Sequence, residues 1–290
     1  VSPVPWHTAP LGSWSPGWPA SGSVTRAQHT ASVTHETLPG TDLLGALRGT
    51  PALRPSVDRG LAGGLRAWLE DGLFERRGPV GSAVVRVTPS LLRAAPATAA
   101  LTARLRGVLL VQLLRLLVAG YRSEAPFEDA SVALGASGRD DELVTVLYEL
   151  DADERSRLVA EVGAHYAVLV ATLPSLPARW SPRCGVRSAI SLAGGTVVLS
   201  GEVDLALGAA GGSRACVCLV DLTTSALGSS TETTLAYLAL LETLRTGEQP
   251  FRVAAMSTAD ATTLVRDVTP ELLSDAVNLV LDAIPRSAAA

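Results

Sequence analysis

The chain has 290 residues, a formal net charge of −4, 47% hydrophobic residues and 18% charged residues. That length suits one large domain or two small ones, and the composition excludes both a disordered chain and one that coats nucleic acid by charge alone. All 24 basic side chains are arginine, since the sequence holds no lysine; a Schiff base, a catalytic lysine and a P-loop lysine are thereby excluded.

Residues 1–38 are rich in Pro, Ser, Thr and Gly and carry Trp6, Trp14 and Trp18 without periodicity. This is the composition of a disordered extension. It has no basic segment followed by an apolar one, so no signal peptide is expected. A single domain is expected over 39–290, with a helical part at 39–182 and a sheet core at 183–290.

Helical signals begin at Thr41-Asp42. A second helix is expected to start at Ser56-Val57-Asp58, with Leu61, Leu65, Trp68, Leu69 and Leu73 at helical spacing. The alternating SAVVRVT at 82–88 predicts a strand. Thr88-Pro89-Ser90 then opens a long helix to about Ala119, apolar nearly all round and hence central. Its run GVLLVQLLRLLVAG is short and broken by Gln112 and Arg115, so no bilayer span and no membrane partner are expected. One or two short helices follow at 126–150. An amphipathic helix starts at Asp151 or Asp153 and carries His165, for which a structural role is expected. Pro174, Pro177 and Pro182 end the helical half.

The pattern then changes. VRSAISLA, GTVVLSGEVDLALG and RACVCLVDLTT predict three strands, with hairpin turns at the glycine pairs 194–195 and 211–212. Thr231 or Thr233 caps a helix through Leu244. PFRVAAMST predicts a fourth strand, and Thr269-Pro270-Glu271 a final helix. The fold class is α/β (α+β), a helical N-terminal half and a central mixed β-sheet flanked by helices.

Cysteine is sparse. Cys216 and Cys218 share one strand face, and with Cys184 the count is odd. Reduced thiols and a cytoplasmic compartment are expected; no usual zinc spacing is present.

Two apolar strand segments each carry one carboxylate, Asp204 and Asp221. Strand parity sets Val217, Leu219, Asp221 and Thr223 on one face, with Cys216, Cys218 and Val220 on the other. Asp204 is expected to share a face with Glu202 and Ala206. An antiparallel hairpin about 208–215 would bring the two acids together, where they repel unless a proton or a divalent cation lies between them. Oxygen ligands of this kind suit Mg²⁺ or Mn²⁺. The plainer alternative is that each Asp caps its following turn.

GEVDLALG, the turn, ACVCLVDLTTS and LAYLALLETLRTGEQPFRVAAMST together resemble the core of the PD-(D/E)XK nuclease superfamily, in its RecB-like branch, over about residues 186–260. VTPSLLRAAP and the 101–119 helix resemble that branch's entry helix. The resemblance implies a restriction-endonuclease-like core and a Mg²⁺-dependent (exo)deoxyribonuclease acting on DNA. It implies that Asp204, Asp221 and the backbone carbonyl of Leu222 hold the metal, and that Tyr237 faces the substrate or supports the site. Three positions depart from the pattern. Thr223 stands where the motif lysine would be. Thr233 or Thr234 stands in place of the helical Gln. No His follows Gly107. The active site is therefore degenerate, with Arg214 and Arg252 the nearest arginines in sequence. The alternative function is a catalytically inactive module of the same fold that binds nucleic acid or a protein partner.

Overall fold

A computed structural model describes residues 43–49, 54–77, 84–92, 101–138, 141–173 and 175–284. The chain divides into two units, Val1–His35 and Glu36–Ala290, and every described residue belongs to the second. The extension at 1–38, the helix signal at Thr41-Asp42 and residues 93–100 of the long helix lie outside the described residues.

The helical half contains α1 (Leu43–Arg48), α2 (Leu61–Arg77), α3 (Pro89–Leu92), α4 (Leu101–Val118), α5 (Pro126–Ser137), α6 (Asp141–Glu149) and α7 (Ala152–Thr172), with the short strand β1 (Val85–Val87) after α2. Local chemistry explains several boundaries. Asp151 caps α7: its Oδ1 accepts from the Glu154 N–H at 2.7 Å while Glu154 Oε2 accepts from the Asp151 N–H, a reciprocal cap that satisfies two otherwise orphaned donors. Asp58 instead holds a turn, its Oδ1 accepting from the Gly60 N–H at 2.8 Å, and α2 starts only at Leu61. Helix α4 is central, as its apolar circumference predicts: Leu105, Leu109, Leu110, Leu113, Leu114 and Leu117 are all buried. Each such leucine contributes roughly 1.5–3 kcal/mol relative to an exposed one.

The second half runs β2 (Arg183–Leu192), β3 (Val197–Leu207), β4 (Cys218–Thr223), α8 (Ser229–Thr246), β5 (Arg252–Ser257), β6 (Thr263–Asp267) and α9 (Pro270–Ala283). Strands β2, β3 and β4 form an antiparallel meander, β5 returns parallel to β4 through α8, and β6 pairs antiparallel with β5. Strand β1 joins parallel to the start of β3, on the edge that β4 uses further along. The result is a six-stranded mixed sheet with helices on both faces. Helices α2, α8 and α9 pack on Leu199, Val203, Leu219 and Val253; α1, α4, α5, α6 and α7 pack on Leu205, Val220, Ala254 and Met256. Among the described residues, no helix is long and apolar enough to cross a membrane.

Four expectations change. Strand β6 is an additional short edge strand, closed on β5 by a turn in which Asp260 accepts from Thr262. Helix α8 begins at Ser229, because Thr231 Oγ1 accepts the Gly228 N–H from within the first turn rather than capping from outside. The β3–β4 connection is a loop over 208–217 instead of a tight turn at 211–212. It is held by Ala215 N–H to Pro55 O and Val57 N–H to Ser213 O, so β4 starts at Cys218. Finally, strand parity does not run unbroken through β3. Val203 and Ala206 face one core while Leu205 and Leu207 face the other, so Glu202 and Ala206 do not share a face. The break falls at Asp204, and β2 breaks with it: Val186 and Cys184 pack on opposite cores about Gly185, whose φ is 62°.

Candidate functional site

The parity expected for β4 agrees with the structure: Val217 and Leu219 lie in one core, Cys218 and Val220 in the other. The β3–β4 ladder pairs Leu205 with Val220, Ala206 with Leu219 and Leu207 with Cys218. Continued by one step, this register sets Asp204 opposite Asp221. The ladder there is closed by a side chain, with Asp204 Oδ2 accepting from the Leu222 N–H at 2.7 Å. Asp204 is thus tied to the strand that carries Asp221.

The electrostatics follow from that placement. Asp204 is partly exposed as a residue, yet burial of its carboxyl group is the largest cause holding its pKa well above the ordinary carboxylate value. The Asp221 charge raises it further and Glu202 adds to this, while the Leu222 N–H and Arg115 act in the opposite sense. The same surroundings push the Cys184 thiol up to about 11, chiefly by burial and also through Asp204. Cys184 is therefore a protonated neighbour at neutral pH rather than a nucleophile.

Arg115 is a site residue that the sequence pattern did not single out. Its side chain reaches from α4 to the sheet, with Nη1 donating to Gln112 Oε1 at 3.0 Å and Nη2 lying 3.5 Å from Glu202 Oε1. Gly185 makes room for it. The β2–β3 register sets Gly185 opposite Asp204, and a Cβ at Gly185 would stand 2.3 Å from Arg115 Nη2 and 2.9 Å from Glu202 Oε1. The signal available in the sequence was the pair Gln112 and Arg115, one helical turn apart, interrupting an otherwise apolar helix.

Thr223 follows the acids on β4 but brings no charge. Its Oγ1 accepts from the Ser225 N–H at 3.1 Å, and its carbonyl accepts from the Thr258 N–H and hydroxyl. Thr258 Oγ1 in turn lies 2.9 Å from His165 Nδ1 on α7, so His165 buttresses the end of β4. Tyr237 is completely buried. Its hydroxyl lies within donating distance of Val87 O at 2.8 Å and Ser200 O at 3.0 Å, so it braces β1 and β3 from beneath the sheet and presents no atom to a substrate. Arg214 and Arg252 lie elsewhere. Arg214 belongs to the pinned loop, bridged to Ser56. Arg252 pairs with Asp267 at 2.6 Å, at the end of β5 level with Cys218 and three ladder steps from Asp221.

Among the described residues, no group of three or more His, Cys, Asp or Glu side chains is placed to hold a metal ion. The donor set at the acids is two carboxylates, joined by the Leu222 backbone, whose N–H and C=O share one strand edge. This suits a hard cation that takes one or two carboxylates and keeps several waters, as Mg²⁺ does; it does not suit zinc.

No family model matches this chain, and no curated protein matches it. Solved structures that match include one described as "Crystal structure of SSO0001", 9% identical over 76% of this chain and 82% of that chain, with a TM-score of 0.29. A likeness of that size carries no argument about function.

Proposed function

We propose that the chain is a PD-(D/E)XK nuclease-like protein of the RecB-like type, whose Asp204–Asp221 pair holds Mg²⁺ or Mn²⁺ and hydrolyses DNA phosphodiester bonds. The observation that carries this reading is the convergence of the two acids, with Asp204 bonded to the Leu222 N–H and destabilised as an anion by Asp221. A buried carboxyl group facing a second carboxylate favours a proton or a cation at that place. The order β2-β3-β4-α8-β5, with β5 parallel to β4, supports the same reading.

A bound cation there would supply a water of lowered pKa and offset charge on the phosphate. The protein's own part is positional. Leu222 N–H fixes one Asp204 oxygen and leaves the other for a ligand. The Leu222 carbonyl lies on the same strand edge. Arg115, whose charge acts on Asp204, is the cation through which the chain would offer positive charge to a phosphate; Thr223 offers none. The cell compartment consistent with three free thiols is the cytoplasm, with DNA as the partner.

A second reading is a catalytically inactive module that uses the same scaffold to bind nucleic acid or a protein. The occupied Thr223 hydroxyl and the engagement of Arg115 with Glu202 favour it. Calorimetric titration of the full chain with Mg²⁺ and Mn²⁺, followed by cleavage assays on single- and double-stranded oligonucleotides, separates the two. Metal binding abolished by Asp204→Asn, with cleavage, establishes the nuclease. Metal binding with cleavage appearing only in Thr223→Lys marks a decayed enzyme. The absence of both metal binding and DNA retention removes both nucleic-acid readings.

A further inference from the structure

At the other end of the β3–β4 hairpin lies a cleft of about 330 Å³ lined by Arg48, Arg54 and Arg179 together with Trp180, Leu47 and Leu207. None of its lining residues is acidic. Among the described residues, none of the three arginines forms an ion pair with a carboxylate, although nine such pairs occur elsewhere in this part of the chain. Among the described residues, the three guanidiniums therefore meet in this cleft without an ion-paired carboxylate.

Two of the arginines are also held in place. Arg54 Nη1 donates to Cys216 Sγ at 3.4 Å and Nη2 to the Arg48 carbonyl at 3.2 Å, while its Nε is buried without a partner among the described residues. The Arg48 guanidinium lies over the Trp180 ring, 4.6 Å from its centroid, a stacking that fixes its plane. Arg179 is exposed at the rim. The Arg54 and Arg48 forks, held in this way, match the oxygens of a phosphate, and Arg179 adds charge at the rim. The volume is at the lower end of small-ligand pockets and exceeds what a bare phosphate fills. The remaining accessible wall, Trp180 with Gly208 and Ala209, suits an uncharged, flat group attached to that phosphate.

We propose that this cleft binds a phosphomonoester carried on a nucleoside, a site separate from the acid pair and independent of the nuclease reading. The test is calorimetric titration of the full chain with adenosine 5′-monophosphate, inorganic phosphate and adenosine. The nucleotide binds, inorganic phosphate binds more weakly, and adenosine gives no heat. Arg179 is at the surface, so Arg179→Glu folds normally; it weakens the nucleotide at least about tenfold, the effect of reversing one charge-assisted contact. Arg48→Ala acts in the same direction, and Asp204→Asn leaves nucleotide binding unchanged. Raising the salt concentration weakens binding. The proposal is overturned if neither nucleotide nor phosphate binds at millimolar concentration, if adenosine binds as well as the nucleotide, or if Arg179→Glu has no effect. It is also overturned if Asp204→Asn removes nucleotide binding, which would move the ligand to the acids.

Discussion

Asp204 and Gly208 are four residues apart, about 13 Å along an extended strand, yet they stand in opposite electrostatic settings. At Asp204 a buried carboxyl group meets a second carboxylate, and Arg115, tied to Glu202, relieves it only in part. At Gly208 the wall of the cleft gathers three arginines and no acid. The acid end is partly enclosed by the sheet and α4, whereas the arginine end opens at a loop and carries its charge on exposed Arg48 and Arg179. One hairpin therefore carries two settings of opposite sign, facing carboxylates at one end and converging arginines at the other.

The comparison breaks hardest at its backbone. Gly208 has φ 87°, and a Cβ there would stand 2.5 Å from the Cys216 carbonyl oxygen. Gly208→Val should cost about 3 kcal/mol of stability and open the arginine cleft, measurable as a lowered urea midpoint. Gly185→Ala, at φ 62°, strains the other end less, about 1–2 kcal/mol, because the atom it meets is the movable tip of Arg115.

Asp204→Asn separates the two ends by function. It should lower Mg²⁺ affinity at least about tenfold, or about 1.4 kcal/mol, by calorimetry. Its pH behaviour also has a definite sign. A carboxyl group whose folded pKa is raised holds its proton in the folded state while the unfolded chain has already lost it. Stability then falls as pH rises above the unfolded value near ~4 and stops falling once the folded pKa is passed. Without metal, the wild type should lose stability over that window, and Asp204→Asn should flatten the curve in urea titrations at stepped pH.

Tyr237→Phe tests whether the tyrosine braces the sheet. Loss of its hydroxyl contacts to Val87 O and Ser200 O should cost about 1–2 kcal/mol and leave both ligand sites intact. A loss of DNA binding at unchanged stability would contradict the bracing role. The smallest effect is expected at Arg179→Ala, within about 0.5 kcal/mol in stability, with its consequence confined to the nucleotide titration.

Much of this arrangement is local and was readable in the chain. The Thr269-Pro270-Glu271 start gives α9 with Thr269 Oγ1 accepting from Leu272 N–H. The leucine-rich 101–118 segment is the central helix, and the parity of Val217 through Val220 holds. Pairing two acids on consecutive strands was likewise readable, because an antiparallel turn constrains its two arms. Strand β6 was not, since a five-residue edge strand beside a turn carries too few alternating positions to stand out.

The amino-acid sequence by itself determined which residues could do chemistry: no lysine, two strand-borne acids and an uncharged threonine two residues after the second. It also determined most element boundaries, because caps, turns and periodicity act over a few residues. Tertiary structure alone decided which charges meet. Arg115 reaches Glu202, beside Asp204, only because Gly185 leaves space across the β2–β3 ladder, and the parity of β3 breaks at that point. Arg48, Arg54 and Arg179 converge only because α1, the segment before β2 and the end of β3 pack on one side of the sheet. Charge interactions act through space between elements far apart in the chain, and no local pattern records that separation.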